Sequence, residues 1–349
     1  GSVLFIPGPG RRSRSRLPYP VIFSNCSPSL SRWTTTKERR VALVAKFQRW
    51  VFLVAVVCMG PVSQAAVEGT DSAPAAASAA DLVWLLVDKT ALAATLQTLP
   101  PNGEPSRLIR KFQIAIGKTQ GDKVREGDNK TPEGIYFSQP HIPGSQLWAK
   151  KYGPLAIPVD YPNPMDRFEG RSGYGIWLHG AGEDKRIAER YTTEGCIAFF
   201  NADILKVEQW LPPRVGIVVI ADDGAQVNDP SLRGELRRQT EAWLQSWNDR
   251  DPHGYLSHYS PSFVSKGRNL HAYRTYKQRV FSGYKKIRVE ATAMRILTHP
   301  KYAVTVMNQD FSGDQHYRSV GRKVLYWQRE AGGWKIVRET FGSTQLKRF

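Results

Sequence analysis

Apolar and polar positions along the chain fall into two regimes. Leu82 to Asp88 (Leu-Val-Trp-Leu-Leu-Val-Asp) is a short, almost unbroken apolar run suited to a buried strand, and Arg110 to Gly117 (RKFQIAIG) alternates like a second one. Ala91 to Pro105 offers turn residues between them, so the two are expected to pair antiparallel. Ile176-Trp177-Leu178 reads as a strand ending at His179, Asp203 to Trp210 as a short helix and Val215 to Ile220 as a closing strand. Asp160 to Asp166 is rich in Pro and Asn and is expected to be a surface loop rather than a helix. After Gly234 the regime changes. Leu236, Trp243, Leu244 and Trp247 lie on or near one helical face of Glu235 to Asn248, with Arg237 and Arg238 opposite. Pro252 to Tyr259 and His271 to Phe281 predict two further helices. Four alternating runs follow, at Ile287 to Leu297, Tyr302 to Phe311, His316 to Arg329 and Trp334 to Phe341, with Ala331-Gly332-Gly333 turning the last hairpin.

This is an α+β pattern in two domains, expected at residues 81–222 and 234–349 with a linker at 223–233. The chain's 349 residues, 41% apolar and 11% aromatic, are enough for two cores and exclude disorder throughout. Net charge is +18, but residues 1–65 hold ten Lys/Arg and one acid, which leaves +9 for the remainder. Half the basicity therefore sits in a leader. Lys37, Arg39, Arg40, Lys46 and Arg49, the apolar run Trp50 to Met59, and then Ser63-Gln64-Ala65 have the order of a secretory signal cut after Ala65. An uncleaved anchor is the competing reading of the same run. Residues 1–36, rich in Arg, Ser and Pro, are read as an N-terminal extension, and residues 66–80, rich in Ala and Ser, as a flexible linker. The expected location is the periplasm. Removing the leader takes Cys26 and Cys58 with it and leaves Cys196 as the single thiol, which cannot form an internal disulfide.

Cys196 follows His179 by seventeen positions, and each adjoins a glycine, in His179-Gly180 and Gly195-Cys196. A thiol and an imidazole together suit a cysteine nucleophile and its base. A cysteine in the apolar run Cys-Ile-Ala-Phe-Phe also suits a small buried hydrophobe. Glycine lets backbone approach a substrate closely, so amides at Gly195 and Cys196 are candidate oxyanion donors.

His179-Gly180, a loop, and Thr193-Glu194-Gly195-Cys196 resemble the active-site signature of the L,D-transpeptidase (YkuD) catalytic domain. The run from Gly121 to Gly134 (GDK..EGD..TPEG) resembles the strand-entry loop of the subgroup that holds murein L,D-carboxypeptidases and lipoprotein-detaching enzymes. The resemblance covers roughly residues 81–222 and implies a mainly-β domain in which Cys196 attacks the carbonyl of the diaminopimelate L-centre of a stem tetrapeptide. D-alanine leaves, and the thioester passes to an amine or to water. His179 would be the base, and the Gly180 carbonyl would fix its tautomer. Tyr174, Trp177, Arg171, Thr193, Glu194 and Arg190 are expected along the substrate groove. The chain departs from the common pattern at Glu194, where many transpeptidases have a second histidine, and at Ala198, where they have an arginine. Glu194 would raise the thiol pKa unless a cation offsets it, and Arg186 and Arg190 are the candidates for that cation. The missing arginine leans towards the carboxypeptidase and lipoprotein-detaching subgroup.

The three helices and four strands after Gly234 resemble an NTF2-like (SnoaL-like) cone, expected as a binding or dimerising accessory with Tyr255, His258 and Tyr259 as candidate pocket residues. Together the two domains resemble the cell-shape L,D-carboxypeptidases of curved and helical bacteria. Expected partners are peptidoglycan stem peptides, a wall-anchored lipoprotein and a second copy of the chain, with no nucleic acid. Lys and Arg from Arg274 to Arg288 read as a solvated charged face. His253 and His258 lie five apart, wrong for two metal ligands on one helical face, so no metal or cofactor is expected. Two other readings stay open: a catalytically silent wall-binding scaffold, and a small-molecule enzyme of the cone.

Overall fold

The computed structural model describes residues 82–100, 104–314 and 317–346. The extension, the signal and its cut, and the linker at 66–80 lie outside the described residues. In chain order the strands are β1 (Leu82–Asp88), β2 (Ala93–Leu99), β3 (Leu108–Gly117), β4 (Gly134–Phe137), β5 (Ile142–Pro143), β6 (Leu155–Pro158), β7 (Trp177–His179), β8 (Tyr191–Thr193), β9 (Ile197–Phe199), β10 (Ile217–Ala221), β11 (Val264–Ser265), β12 (Arg268–Asn269), β13 (Ile287–Thr298), β14 (Ala303–Gly313), β15 (Tyr317–Glu330) and β16 (Gly333–Gly342). The α-helices are α1 (Ala149–Tyr152), α2 (Pro164–Phe168), α3 (Lys185–Ala188), α4 (Asn201–Glu208), α5 (Pro230–Asn248), α6 (Pro252–Ser257) and α7 (Leu270–Gly283).

In the first lobe the strands run in the order β4-β10-β1-β2-β3-β9-β7-β6-β5, with β8 beside β3. Two expectations are corrected here. β1 and β3 are not partners, because Ala91 to Pro105 contains β2, which pairs antiparallel with both. Its alternation, Ala-Ala-Thr-Leu-Gln-Thr-Leu, is built from small and polar residues and is easily taken for a turn. The Pro/Asn-rich stretch is neither a surface loop nor free of helix. Asn163 caps α2 in a reciprocal capping box with Asp166, Pro164 occupies the first turn, and Asn163, Met165 and Asp166 are buried.

The second lobe is an antiparallel meander β13-β14-β15-β16 with α5 to α7 against it. Its interior holds Trp243, Trp247, Tyr255, Tyr259, Phe263, Tyr273, Met307, Phe311 and Trp327. Tyr255 and Tyr259 are buried in this core, bonded to each other at 2.7 Å. Lys277 does not belong to a solvated face. It is 5% exposed, with its ammonium 3.9 Å from the centre of the Trp247 ring, in the wall of a cavity of about 380 Å³. Helix α5 begins at Pro230, inside the stretch expected to be linker, with Asp229 as its cap.

The lobes share a core. Val83, Leu85 and Val87 face one side of β1, while Leu82, Trp84 and Leu86 face the other and pack with Leu297, Tyr302, Val304, Val306, Val324, Tyr326 and Val337 of the second lobe. This explains the unbroken apolar run: β1 is covered on both faces, as a strand at the centre of three layers must be. Polar contacts seal the seam, including Arg295 to the Leu99 carbonyl at 2.9 Å and Arg233 to the Pro100 carbonyl at 3.1 Å.

Candidate functional site

Strands β7 and β9 are parallel neighbours in the register Leu178↔Ile197 and His179↔Ala198. Leu178 and Ile197 point into the first lobe's core. Side chains alternate along a strand, so Trp177, His179, Cys196 and Ala198 share the opposite face. On that face Cys196 lies two positions along β9's line from His179's direct partner, Ala198. Cys196 is half-buried, at the point where the chain leaves the turn at Gly195 to enter β9. Gly195 has φ +118°, and a Cβ there would stand 2.6 Å from the Lys130 carbonyl, so only glycine fits.

The sulfur's close partners are backbone groups. Its thiol donates to the Gly175 carbonyl at 3.4 Å, and the Trp177 amide hydrogen-bonds to it. Burial pushes the thiol up to about 11, against the Trp177 amide and the Lys151 ammonium, which favour the thiolate. Burial pulls His179 down to about 4, so its imidazole is neutral at pH 7. His179 Nδ1 is bonded to the Gly180 carbonyl. A carbonyl only accepts, so the proton is on Nδ1 and the lone pair on Nε2. The ring is held by Tyr152 of α1, edge-on at 5.1 Å, and Tyr152 also packs on Trp177 at 5.1 Å.

The remaining expected residues separate. Glu194 is exposed and pairs with Lys151 at 3.3 Å. The offsetting cation is thus Lys151, not Arg186 or Arg190, because α1 folds over the turn from 43 residues away. Arg190 is exposed with φ +66°, and its carbonyl accepts from the Ile116 amide. Arg186 donates to the Thr192 carbonyl at 3.4 Å. Thr193 is buried; its hydroxyl donates to the Cys196 carbonyl at 2.7 Å and accepts the Gly195 amide at 3.2 Å. It shapes the turn rather than lining a groove, and the Gly195 amide expected at an oxyanion is engaged by it. Arg171 does not face a groove either: it is bound by Asp122 at 2.8 Å, by Glu169 at 2.6 Å and by the Lys123 carbonyl. Tyr174 is 76% exposed, and so is much of Trp148, which caps α1.

Sequence reasoning missed Lys151, Tyr152 and Asn201. Asn201, at the start of α4, bonds both the amide and the carbonyl of Ala181 at 2.9 Å, and its oxygen lies against the backbone of Gly153 and Gly180. That single amide holds the loop carrying the carbonyl on which His179 is anchored. No local pattern marks it, since its partners come from two other segments.

A half-buried sulfur and a neutral imidazole with its proton on Nδ1, carried on one strand face, are groups suited to acyl transfer. Comparison with known families agrees with the fold. Residues 83–220 match the L,D-transpeptidase catalytic domain (YkuD), and residues 235–340 match the Cds6 C-terminal NTF2-like domain. The chain carries a YkuD-family catalytic domain followed by an NTF2-like domain. YafK of Escherichia coli K12, whose name carries only a provisional L,D-transpeptidase assignment, is 29% identical over 135 residues. The match covers 38% of this chain and 48% of that relative, so the chain spans about half the length of the curated relatives it matches. Among solved structures, Bd1075 of Bdellovibrio bacteriovorus superposes with a TM-score of 0.65 at 28% identity, over 78% of this chain and 97% of that one. Pgp2 of Campylobacter jejuni, a helical cell shape determining protein, superposes with a TM-score of 0.62 at 24% identity, over 74% of this chain and 92% of that one, and shows the same fold.

Proposed function

We propose that this protein is an exported peptidoglycan enzyme in which Cys196 forms a thioester with the L-centre carbonyl of meso-diaminopimelate in a stem tetrapeptide. The observation that carries the reading is the shared strand face of Cys196 and His179, with the imidazole neutral and its Nδ1 proton anchored on Gly180. His179 Nε2 takes the thiol proton as sulfur attacks, because a thiol held near 11 is not ionised beforehand. The new C–S bond forms as the carbonyl π electrons move to oxygen, where the Cys196 amide stabilises the charge. The C–N bond to D-alanine then breaks, and His179 returns the proton to the leaving amine. Water resolves the thioester in an L,D-carboxypeptidase, and an amine does so in an L,D-transpeptidase. Tyr174, Trp177 and Trp148 supply the rim on which the peptide lies. Carrying Glu194 and Ala198 in place of the histidine and arginine of many transpeptidases favours water as the acceptor.

The test is incubation of the purified protein with disaccharide tetrapeptide, alongside intact-mass analysis after exposure to a carbapenem. Release of D-alanine with a tripeptide product, and an adduct that Cys196→Ala abolishes, are expected. A protein that gives neither product nor adduct would be a silent wall-binding scaffold instead.

A further inference from the structure

The loop from Gly121 to Gly134 stands between the two lobes and touches both flanks of the nucleophile. On one flank its Lys130 carbonyl closes against Gly195. On the other, Lys123 and Glu126 pack on Gly173, two residues before the Gly175 carbonyl that receives the Cys196 thiol. Inside the loop Asp128 gathers the amides of Val124, Arg125 and Lys130 at 2.8, 3.0 and 3.1 Å and the Lys123 ammonium at 2.8 Å. Movement of the loop is therefore transmitted to both flanks at once.

The loop is held from outside by both lobes. Within the catalytic lobe Lys89 donates to the Gly121 carbonyl at 2.8 Å and to Glu133 Oε1 at 2.6 Å; further anchors come from the cone. Lys301 and Tyr302 sit in the turn between β13 and β14. The Lys301 ammonium donates to Asp122 Oδ2 at 2.8 Å and to the Glu133 carbonyl at 2.9 Å, and lies 3.7 Å from Glu169. All three of these oxygens belong to the catalytic lobe. Asp122 in turn accepts the Glu133 amide at 2.8 Å and pairs with Arg171 at 2.8 Å. The Tyr302 hydroxyl accepts the Ile135 amide at 2.7 Å and the Asn163 side-chain amide at 2.9 Å, at the end of the same loop. Gly134, with φ +155°, has no room for a Cβ beside that hydroxyl.

We propose that Lys301 is a positioning residue for Cys196: the cone lobe, through Lys301 and Tyr302, sets the loop that walls the thiol and keeps water from it. The proposal rests on Cys196 being the reactive thiol. Held in place, the loop keeps the sulfur half-buried and aligned with His179. Released, it admits water, which relieves the desolvation that raises the thiol and loosens the attack geometry. The thiol then ionises more easily while turnover slows in protein that remains folded, which the melting curve of each variant separates from loss of stability.

The test uses the full chain, with two readouts taken below the melting transition. One is the pH dependence of Cys196 alkylation by iodoacetamide, and the other is kcat and KM on disaccharide tetrapeptide. Lys301→Met is expected to lower kcat roughly 5- to 100-fold with KM changed less than about twofold. Its alkylation midpoint moves down towards that of an ordinary thiol, about 8.5. Lys301→Arg restores most of both. Lys323→Met, which breaks the buried pair with Glu339 in the cone, is the stability control and leaves both readouts unchanged. The proposal is overturned if Lys301→Met only lowers the melting temperature, or if it changes KM alone. Should Lys301→Met fail to fold, Tyr302→Phe carries the same test. Should no form of the protein turn over tetrapeptide, the peptidoglycan reading fails, and the alkylation midpoint still decides the role of Lys301.

Discussion

The buried Glu339–Lys323 pair of the cone and the Cys196–His179 pair of the catalytic lobe are treated in opposite ways. In the cone, Glu339 receives Lys323 at 2.6 Å, Tyr273 at 2.9 Å and Tyr259 at 3.1 Å. Burial opposes its ionisation, but the Lys323 and Lys277 charges outweigh it and hold the carboxyl below its usual value. Lys277, without a carboxylate in contact among the described residues, is stacked on Trp247 and Tyr255, and burial drives it down to about 7. In the catalytic lobe Cys196 and His179 are bonded to backbone groups and, among the described residues, carry no ionic partner in contact, so burial drives both to their neutral forms. Glu339 and Lys323 find their partners inside the protein; in the proposed reaction the sulfur and Nε2 keep theirs for a substrate. Disrupting the first therefore costs stability, and disrupting the second costs chemistry.

The largest test of that contrast is His179→Ala, which should reduce tripeptide release by about 10²- to 10⁴-fold. Its melting temperature at neutral pH should stay close to that of the parent. Unimpaired turnover would remove the imidazole from the reaction. Next comes Glu339→Leu, which strands Lys323 among apolar side chains and should cost roughly 3–5 kcal/mol in urea unfolding. Alkylation of Cys196 should persist in the fraction that remains folded, and a parallel loss of thiol reactivity would show that the lobes do not divide labour in this way.

A third test uses pH. His179 and His299, both pulled down to about 4 by burial, bind fewer protons folded than unfolded between about pH 4 and 6.5, so their contribution to stability is lost as pH falls through that window. Asp160 and Asp166, raised by burial to about 7 and about 6, act in the opposite sense and withdraw stability as pH rises through those values. Asp160→Asn keeps an acceptor for the Phe137 amide. It should stabilise more at about pH 8 than at about pH 5, by on the order of 1–3 kcal/mol. An equal effect at both values would show that burial of this carboxylate is not what sets the slope. The smallest effect expected is that of Lys151→Ala. Removing the cation beside Glu194 should slow alkylation of Cys196 by about two- to threefold at about pH 8, as befits a partly exposed pair. A faster reaction would mean that Glu194 does not oppose the thiolate.

Much of this was legible along the chain because it is local. The four runs after Ile287 became β13 to β16 with ends shifted by a residue or two, since period-two alternation and the Gly-Gly turn are encoded within each strand. Cys196 and His179 stood out because their glycines mark places where backbone must pass closely. What escaped was set by encounters across the fold. β2 was hidden by its small and polar residues. Asn163 and Asp166 read as exposed, but the Tyr302 hydroxyl and the Ile135 carbonyl meet the first and the Tyr136 hydroxyl meets the second. Lys151 and Tyr152 carry no signature, and only the folding of α1 over β7 brings them to the site.

By itself, then, the sequence determined most of the longer elements but not β2 or α2, the class of each lobe, and the two side chains most suited to acyl transfer. These follow from periodicity, turn chemistry and residue type, which act over a few positions. The tertiary structure alone decided that the apolar run of β1 is covered by the cone on one face, that Arg171 serves an ion-pair cluster rather than a groove, and that Lys301 grips the loop beside Cys196. An apolar run says only that a face must be buried, and a charge only that it needs a partner. Which surface and which partner depends on where segments more than a hundred residues apart come to rest.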